Sequence, residues 1–261
     1  MMFRHNSWEA QLHWKKMARG ALLAWTLGVA NVLAADIEGQ KLSLPTPERA
    51  VDVTYFRAPG DGLRPAALLL HGAGGFDGQI ANYDRYASEL AKNGIDAYLV
   101  YYYSAADKAG MQRGDEVFQK RYAAWAKMVD DLADSLEKKK DSNGKVGLVG
   151  FSNGAILASG AGARDPKISA AVIYYGGAPW PTLGPVTRFP PLLILHGDAD
   201  QIIPVREGHM LAEFAQERGA KVDLVIYPGE SHGFGSRLAT KNGADALKRT
   251  IAFLRQELDV R

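Results

Sequence analysis

From about residue 50 the chain alternates two patterns of apolar and polar positions. Short apolar runs occur at 51–56 (VDVTYF), 66–70 (AALLL), 95–103 (IDAYLVYYY), 145–150 (KVGLVG), 169–177 (SAAVIYYGG), 192–197 (LLILHG) and 221–229 (KVDLVIYPG). Several are continuously apolar, which predicts strands covered on both faces, as in a parallel sheet. Between them the apolar positions recur at helical spacing, over 83–94, 116–140, 153–163, 206–219 and 242–258. The longest of these carries Tyr122, Trp125, Val129, Leu132 and Leu136 on one stripe, and Gly94 and Gly219 stand where two others should stop. Strands alternating with helices predict an α/β fold of βαβ units, with a mostly parallel central sheet and helices on both faces. No linker divides residues 36–261, so one domain is expected. The Pro- and Gly-rich stretch 176–191 reads as a loop over a site.

The first 35 residues follow another pattern. Lys15, Lys16 and Arg19 precede an apolar run from Ala21 to about Ala34, with small residues before Asp36. This is the layout of an export signal, with cleavage expected near Ala34 or Ala35 and a periplasmic or secreted destination. Met17 would give the signal a more usual length. The run is short of the ~20 residues that span a bilayer, so no membrane association is expected after cleavage. Arg4, Lys15, Lys16 and Arg19 also account for the small excess of the chain's 31 Lys and Arg over its 29 Asp and Glu. The remainder is close to neutral and shows no basic stripe, which argues against a nucleic-acid partner. There is no cysteine. Disulfides, thiol nucleophiles and thiolate metal sites are thereby excluded.

In an open parallel sheet, ligands bind beyond the carboxyl ends of the strands. Four predicted strands end there in suggestive loops: HGAGG at 71–75, GFSNG at 150–154, HGDADQIIP at 196–204 and PGESHGF at 228–234. Gly150-Phe151-Ser152-Asn153-Gly154 matches G-x-S-x-G, in which a serine stands on a tight strand-to-helix turn. Ser152 is either that nucleophile or an ordinary N-cap on a glycine turn. The strand before it and the helix after it favour the nucleophile. A serine hydroxyl needs a base. His232, in a loop late in the chain, is the best candidate. His209 lies within a helical pattern and reads as a surface residue. His196 ends a strand and reads as a structural or supporting residue, and His71 as the residue that orients the glycine loop. The imidazole needs a carboxylate. Asp200 is favoured over Asp198, which caps the turn, and over Glu230, which is too close to His232 in sequence. Two backbone N–H donors should face the developing oxyanion. Asn153, next to the nucleophile, and Ala73, in the glycine loop, are expected to supply them. A phosphate-binding loop is the rival for HGAGG, but it lacks G-x-x-x-x-G-K-[ST]. Phe76, Phe151, Trp180 and Phe234 neighbour these motifs and are candidates to line an apolar substrate pocket. No metal or organic cofactor is implied.

Taken together, LLLHGAGG, GFSNG, LHGDADQIIP and YPGESHGF resemble the dienelactone hydrolase family of α/β-hydrolases, over roughly residues 50–258. The resemblance implies the α/β-hydrolase fold without a large lid. It also implies that the second aspartate of G-D-A-D, Asp200, and His232 belong to the reacting set. Two positions depart from the family's pattern. Ser152 stands where the family's cysteine nucleophile is expected, and Gly72 where it carries an acidic residue. Both departures point to an ordinary serine esterase mechanism on a small-molecule ester or lactone. A peptidase, amidase or acyltransferase would use the same residues. A non-catalytic binding protein on this scaffold would be expected to lack one of them, and none is missing.

Overall fold

The computed structural model describes residues 36–104, 106–107, 115–179 and 185–260. The expected export signal (1–35) and Trp180 lie outside the described residues. In chain order the strands are β1 (Gln40–Pro45), β2 (Ala50–Phe56), β3 (Arg64–Leu70), β4 (Asp96–Val100), β5 (Ser142–Phe151), β6 (Ile168–Tyr174), β7 (Leu192–Gly197) and β8 (Val222–Tyr227). The helices are α1 (Ile80–Lys92), α2 (Asp115–Glu137), α3 (Asn153–Arg164), α4 (Val205–Gln216) and α5 (Lys241–Glu257). One sheet of eight strands runs in the order β1-β2-β4-β3-β5-β6-β7-β8. β1 and β2 are antiparallel to their neighbours, and every pair from β4 to β8 is parallel.

The continuous apolar runs have a direct cause. Successive side chains of a strand point to opposite faces, and here both faces are covered. Leu68 and Leu70 of β3 pack with α2, α3 and α4, through residues such as Trp125, Leu157 and Leu211. Ala67 and Leu69 pack on the other face with α1 and α5, through Tyr86, Leu90 and Leu254. Leu69 is fully buried in that second layer. Leu69→Ala is expected to cost about 3 kcal/mol, from lost burial plus the cavity left behind. Urea unfolding would show it as a lower midpoint with an unchanged slope.

The parallel direction of β3, β5, β7 and β8 puts their carboxyl ends on one edge of the sheet. That is where the four loops singled out in the sequence emerge. No helix among the described residues is long and apolar enough to cross a membrane.

Candidate active site

Ser152 is the single residue between the end of β5 and the start of α3, with φ 57° and ψ −118°. A non-glycine residue there is strained, by about 1–3 kcal/mol, and persists only where its surroundings fix it. The surroundings are the two flanking glycines. A Cβ on Gly150 would lie 2.2 Å from the Gly154 carbonyl oxygen, and a Cβ on Gly154 would lie 2.1 Å from that of Leu70. The strand end, the helix start and the neighbouring β3 therefore meet at distances that only glycine permits. The Ser152 N–H donates to the Tyr174 carbonyl at 3.0 Å, and the Ser152 carbonyl accepts from the N–H groups of Ala155 and Ile156. Its hydroxyl makes no helix-capping bond. It lies 2.9 Å from Nε2 of His232 instead. Ser152 is thus at the N-cap position by place, but its side chain is turned away from that task.

His232 sits in the loop between β8 and a short 3-10 turn at Phe234–Ser236. Its Nδ1 is 2.7 Å from Oδ2 of Asp200. A carboxylate can only accept, so Nδ1–H donates to Asp200, and the bare Nε2 accepts from the Ser152 hydroxyl. The Asp200 side chain is fully buried. Its other oxygen, Oδ1, accepts the N–H groups of Ile202 at 2.9 Å and Ile203 at 3.0 Å. Charge-assisted bonds of this kind compensate for burying the carboxylate. The two rival acids are engaged elsewhere. Asp198 accepts from the Gly229 N–H at 2.6 Å, tying the β7 loop to the β8 loop. Glu230 holds Arg237 at 2.7 Å and Asn242 at 2.8 Å.

The other histidines fall as follows. His209 is exposed on α4. His71 is buried, stacks on Tyr102 with ring centres 4.0 Å apart, and has Nδ1 2.8 Å from the Gly72 carbonyl oxygen. It shapes the start of the glycine loop. His196 is fully buried behind Asp200.

A cleft of about 660 Å³ opens over Ser152 and His232, lined by Gly72–Gly75, Tyr83, Phe151, Tyr175, Ile202 and Arg237, and by the polar residues Asp77, Gln79 and Asn82. Ala73 lines it, and Asn153 is the first residue of α3. Neither backbone N–H has an acceptor among the described residues. Burial pushes the Tyr83 hydroxyl up to about 12 and that of Tyr175 well above its ordinary value. Both rings remain neutral walls, not bases.

Of the expected aromatic lining that falls among the described residues, only Phe151 borders the cleft, and its side chain is itself buried. Phe76 and Phe234 are buried beneath it. Phe76 packs edge-on against His71, Tyr83 and Tyr101, and Phe234 packs against Tyr227 and Tyr175. Sequence proximity to a motif does not say which side of a loop faces solvent, and these two face the core. Tyr83, Tyr175 and Arg237 lie outside the motifs, and Ile202 lies within HGDADQIIP but was given no role there. Tyr175 alone has a usable signal, because it is the first residue past the carboxyl end of β6, the strand between β5 and β7. Its ring centre lies 4.8 Å from that of His232.

A parallel sheet with a serine on a strand-to-helix turn and a histidine and buried aspartate from later loops defines an α/β-hydrolase fold. Comparison with known proteins narrows the class. The model of the dienelactone hydrolase family matches residues 53–258. The chain belongs to the dienelactone hydrolase family, and by class it is a hydrolase. A protein of Methylorubrum extorquens named as a carboxymethylenebutenolidase is 29% identical, in a match spanning 36% of this chain and 36% of that relative. A Klebsiella pneumoniae structure named as a dienelactone hydrolase superposes with a TM-score of 0.71 at 20% identity, covering 85% of this chain and 100% of that one. An esterase from Pyrobaculum calidifontis superposes with a TM-score of 0.67 at 20% identity, covering 86% and 87%. At that identity the two structures speak for the fold.

Proposed function

We propose that the protein is an exported serine hydrolase that cleaves small carboxylic esters through an acyl-enzyme. One observation carries the reading: at the floor of an open cleft, a strained serine hydroxyl lies 2.9 Å from a histidine nitrogen whose other nitrogen is 2.7 Å from a buried aspartate.

Ser152 Oγ attacks the ester carbonyl carbon as His232 Nε2 takes the hydroxyl proton. Asp200 holds His232 in the tautomer that leaves Nε2 bare, and offsets the positive charge that forms on the ring. The carbonyl oxygen becomes an oxyanion facing the N–H groups of Ala73 and Asn153, an arrangement in which each donor is worth about 100-fold or more in rate. The intermediate collapses, the alcohol leaves with the proton from His232, and Ser152 carries the acyl group. Water, giving a proton to His232, then releases the acid and restores the serine. Gly72 fits this scheme. A Cβ there would come within 3.3 Å of the Ser152 Cβ, so the glycine keeps space beside the nucleophile.

The reading is tested by incubating the protein with a fluorophosphonate probe and locating the adduct by mass spectrometry. An adduct on Ser152, absent from Ser152→Ala, supports it. A folded protein that takes no adduct on Ser152 overturns it. Export is tested separately, by N-terminal sequencing of protein recovered outside the cytoplasm, which should begin at Ala35 or Asp36.

The substrate reading rests on the walls. Ile202 lines the cleft yet is 71% exposed, an apolar side chain available to a ligand. Ile202→Asn is expected to raise KM for butyrate or longer p-nitrophenyl esters about fivefold with kcat within twofold, since only ground-state apolar contact is lost. An equal loss in kcat would mean that Ile202 acts on the chemistry and not on binding.

A further inference from the structure

His196 is the last residue but one of β7, and its side chain is completely buried. Its Nε2 lies 2.9 Å from the Ile203 carbonyl oxygen. A carbonyl only accepts, so Nε2 carries the proton. The same Nε2 stands 3.5 Å from Oδ2 of Asp200, the oxygen that holds His232. The opposite nitrogen, Nδ1, is buried with no hydrogen-bond partner among the described residues. It faces α4 at Gly208, where an added Cβ would lie 2.8 Å from it. This helix glycine forgoes about 1 kcal/mol of helix stability relative to alanine, and the space it leaves is occupied by the imidazole.

Resting on the serine-hydrolase reading above, we propose that His196 is a positioning residue for Asp200. It acts in two ways. Its Nε2–H pins the Ile203 carbonyl, and the N–H of that same residue is one of the two donors to Asp200 Oδ1, so one residue links His196 to the carboxylate. The same Nε2–H also directs the positive end of its dipole toward Oδ2, which His232 holds at 2.7 Å. Asp200 is therefore held on both oxygens, and its freedom to rotate away from His232 is removed. The arrangement requires His196 to stay neutral. A protonated ring would compete with His232 for Asp200 as His232 becomes charged. Protonation would also put a proton on Nδ1, which has no acceptor among the described residues. Burial holds the His196 pKa below the ordinary imidazole value, consistent with that requirement.

The test measures kcat per active site, with active sites counted by saturating fluorophosphonate labelling. This separates a positioning effect from simple loss of folded protein. His196→Leu removes the donor and is expected to lower kcat per labelled site about tenfold with KM within twofold. His196→Gln, whose amide can still donate near the Nε2 position, is expected to recover activity to within about threefold of wild type. Gly208→Ala removes no polar group but presses the imidazole from behind, and is expected to lower kcat in the wild-type background. In the His196→Leu background it should cause no further loss, because its effect passes through the imidazole. Unchanged kcat per labelled site in His196→Leu, or additive effects of the two substitutions, would overturn the proposal. A wild-type protein that takes no label overturns the hydrolase reading itself, a result distinguishable from either of these.

Discussion

Ser152→Ala is expected to lower kcat/KM for a p-nitrophenyl ester about a millionfold, Asp200→Asn about 10,000-fold, and Asp198→Asn less than about threefold. The ordering follows from what each side chain holds. Without Oγ there is no nucleophile, and only the cleft and the two backbone donors remain to act on the ester. In Asp200→Asn the new amide oxygen could still accept the N–H groups of Ile202 and Ile203, as Asp200 Oδ1 does. The amide NH2 would then face His232 Nδ1, where the carboxylate oxygen now lies at 2.7 Å. Two donors cannot face each other, so the imidazole would move its proton to Nε2. That nitrogen could no longer accept from Ser152, and the base would be lost with the geometry intact. Asp198 is only two residues away, but it is exposed and spends its oxygen on the Gly229 N–H. Its replacement should loosen the contact between two loops and leave the proton path alone. Steady-state kinetics on the three purified variants, with circular dichroism to confirm folding, decides the matter. A large loss in Asp198→Asn with a small one in Asp200→Asn would reverse the assignment of the carboxylate.

The contrast between Asp198 and Asp200 also shows how far sequence reaches. The central strands were legible because burial on both faces leaves an unbroken apolar run, as in Leu68–Leu70 and Leu192–Leu195. β1 (Gln40–Pro45) was not, because it lies at the sheet edge with Gln40, Lys41 and Ser43 exposed. Its alternating, mostly polar sequence resembles a loop. The runs at 95–103 and 169–177 both overstate their strands, which end at Val100 and Tyr174. In each case the apolar run continues into tyrosines that leave the sheet to do other work. Tyr102 stacks on His71, and Tyr175, with φ 40°, turns toward His232. An apolar pattern records burial, and a tyrosine buried against the site is indistinguishable from one buried in a strand. Ser152, His232 and Asp200 stood out for a different reason. Their loops carry residue types that a strand end does not otherwise need. The cleft walls had no such mark, because Ile202 and Tyr83 are ordinary apolar residues whose role depends only on where the backbone turns.

The elbow itself supplies the second large effect. Gly154→Ala is expected to destabilise the protein by about 4 kcal/mol or more, beyond the usual range for a single methyl group. Replacing glycine by alanine inside a helix normally gains up to ~1 kcal/mol from propensity. Here the new Cβ would lie 2.1 Å from the Leu70 carbonyl oxygen and 2.5 Å from that of His71. Both are backbone atoms at the end of a central strand, so no side-chain rotation relieves the clash, and α3 must move away from β3. That movement would carry Ser152 with it, since its carbonyl accepts from the Ala155 and Ile156 N–H groups in the first turn of α3. It would also displace the loop beginning at His71 that carries Ala73. Stability and activity should therefore fall together, read as a lower urea midpoint and a kcat/KM reduced about 1,000-fold in whatever fraction remains folded. Gly74→Ala is the matched control. It lies in the same glycine loop, but a Cβ there meets nothing within 4 Å. Its urea midpoint should match that of the wild type. If Gly154→Ala proved as stable as Gly74→Ala, the close approach of α3 to β3 would not be what holds Ser152 in its strained conformation.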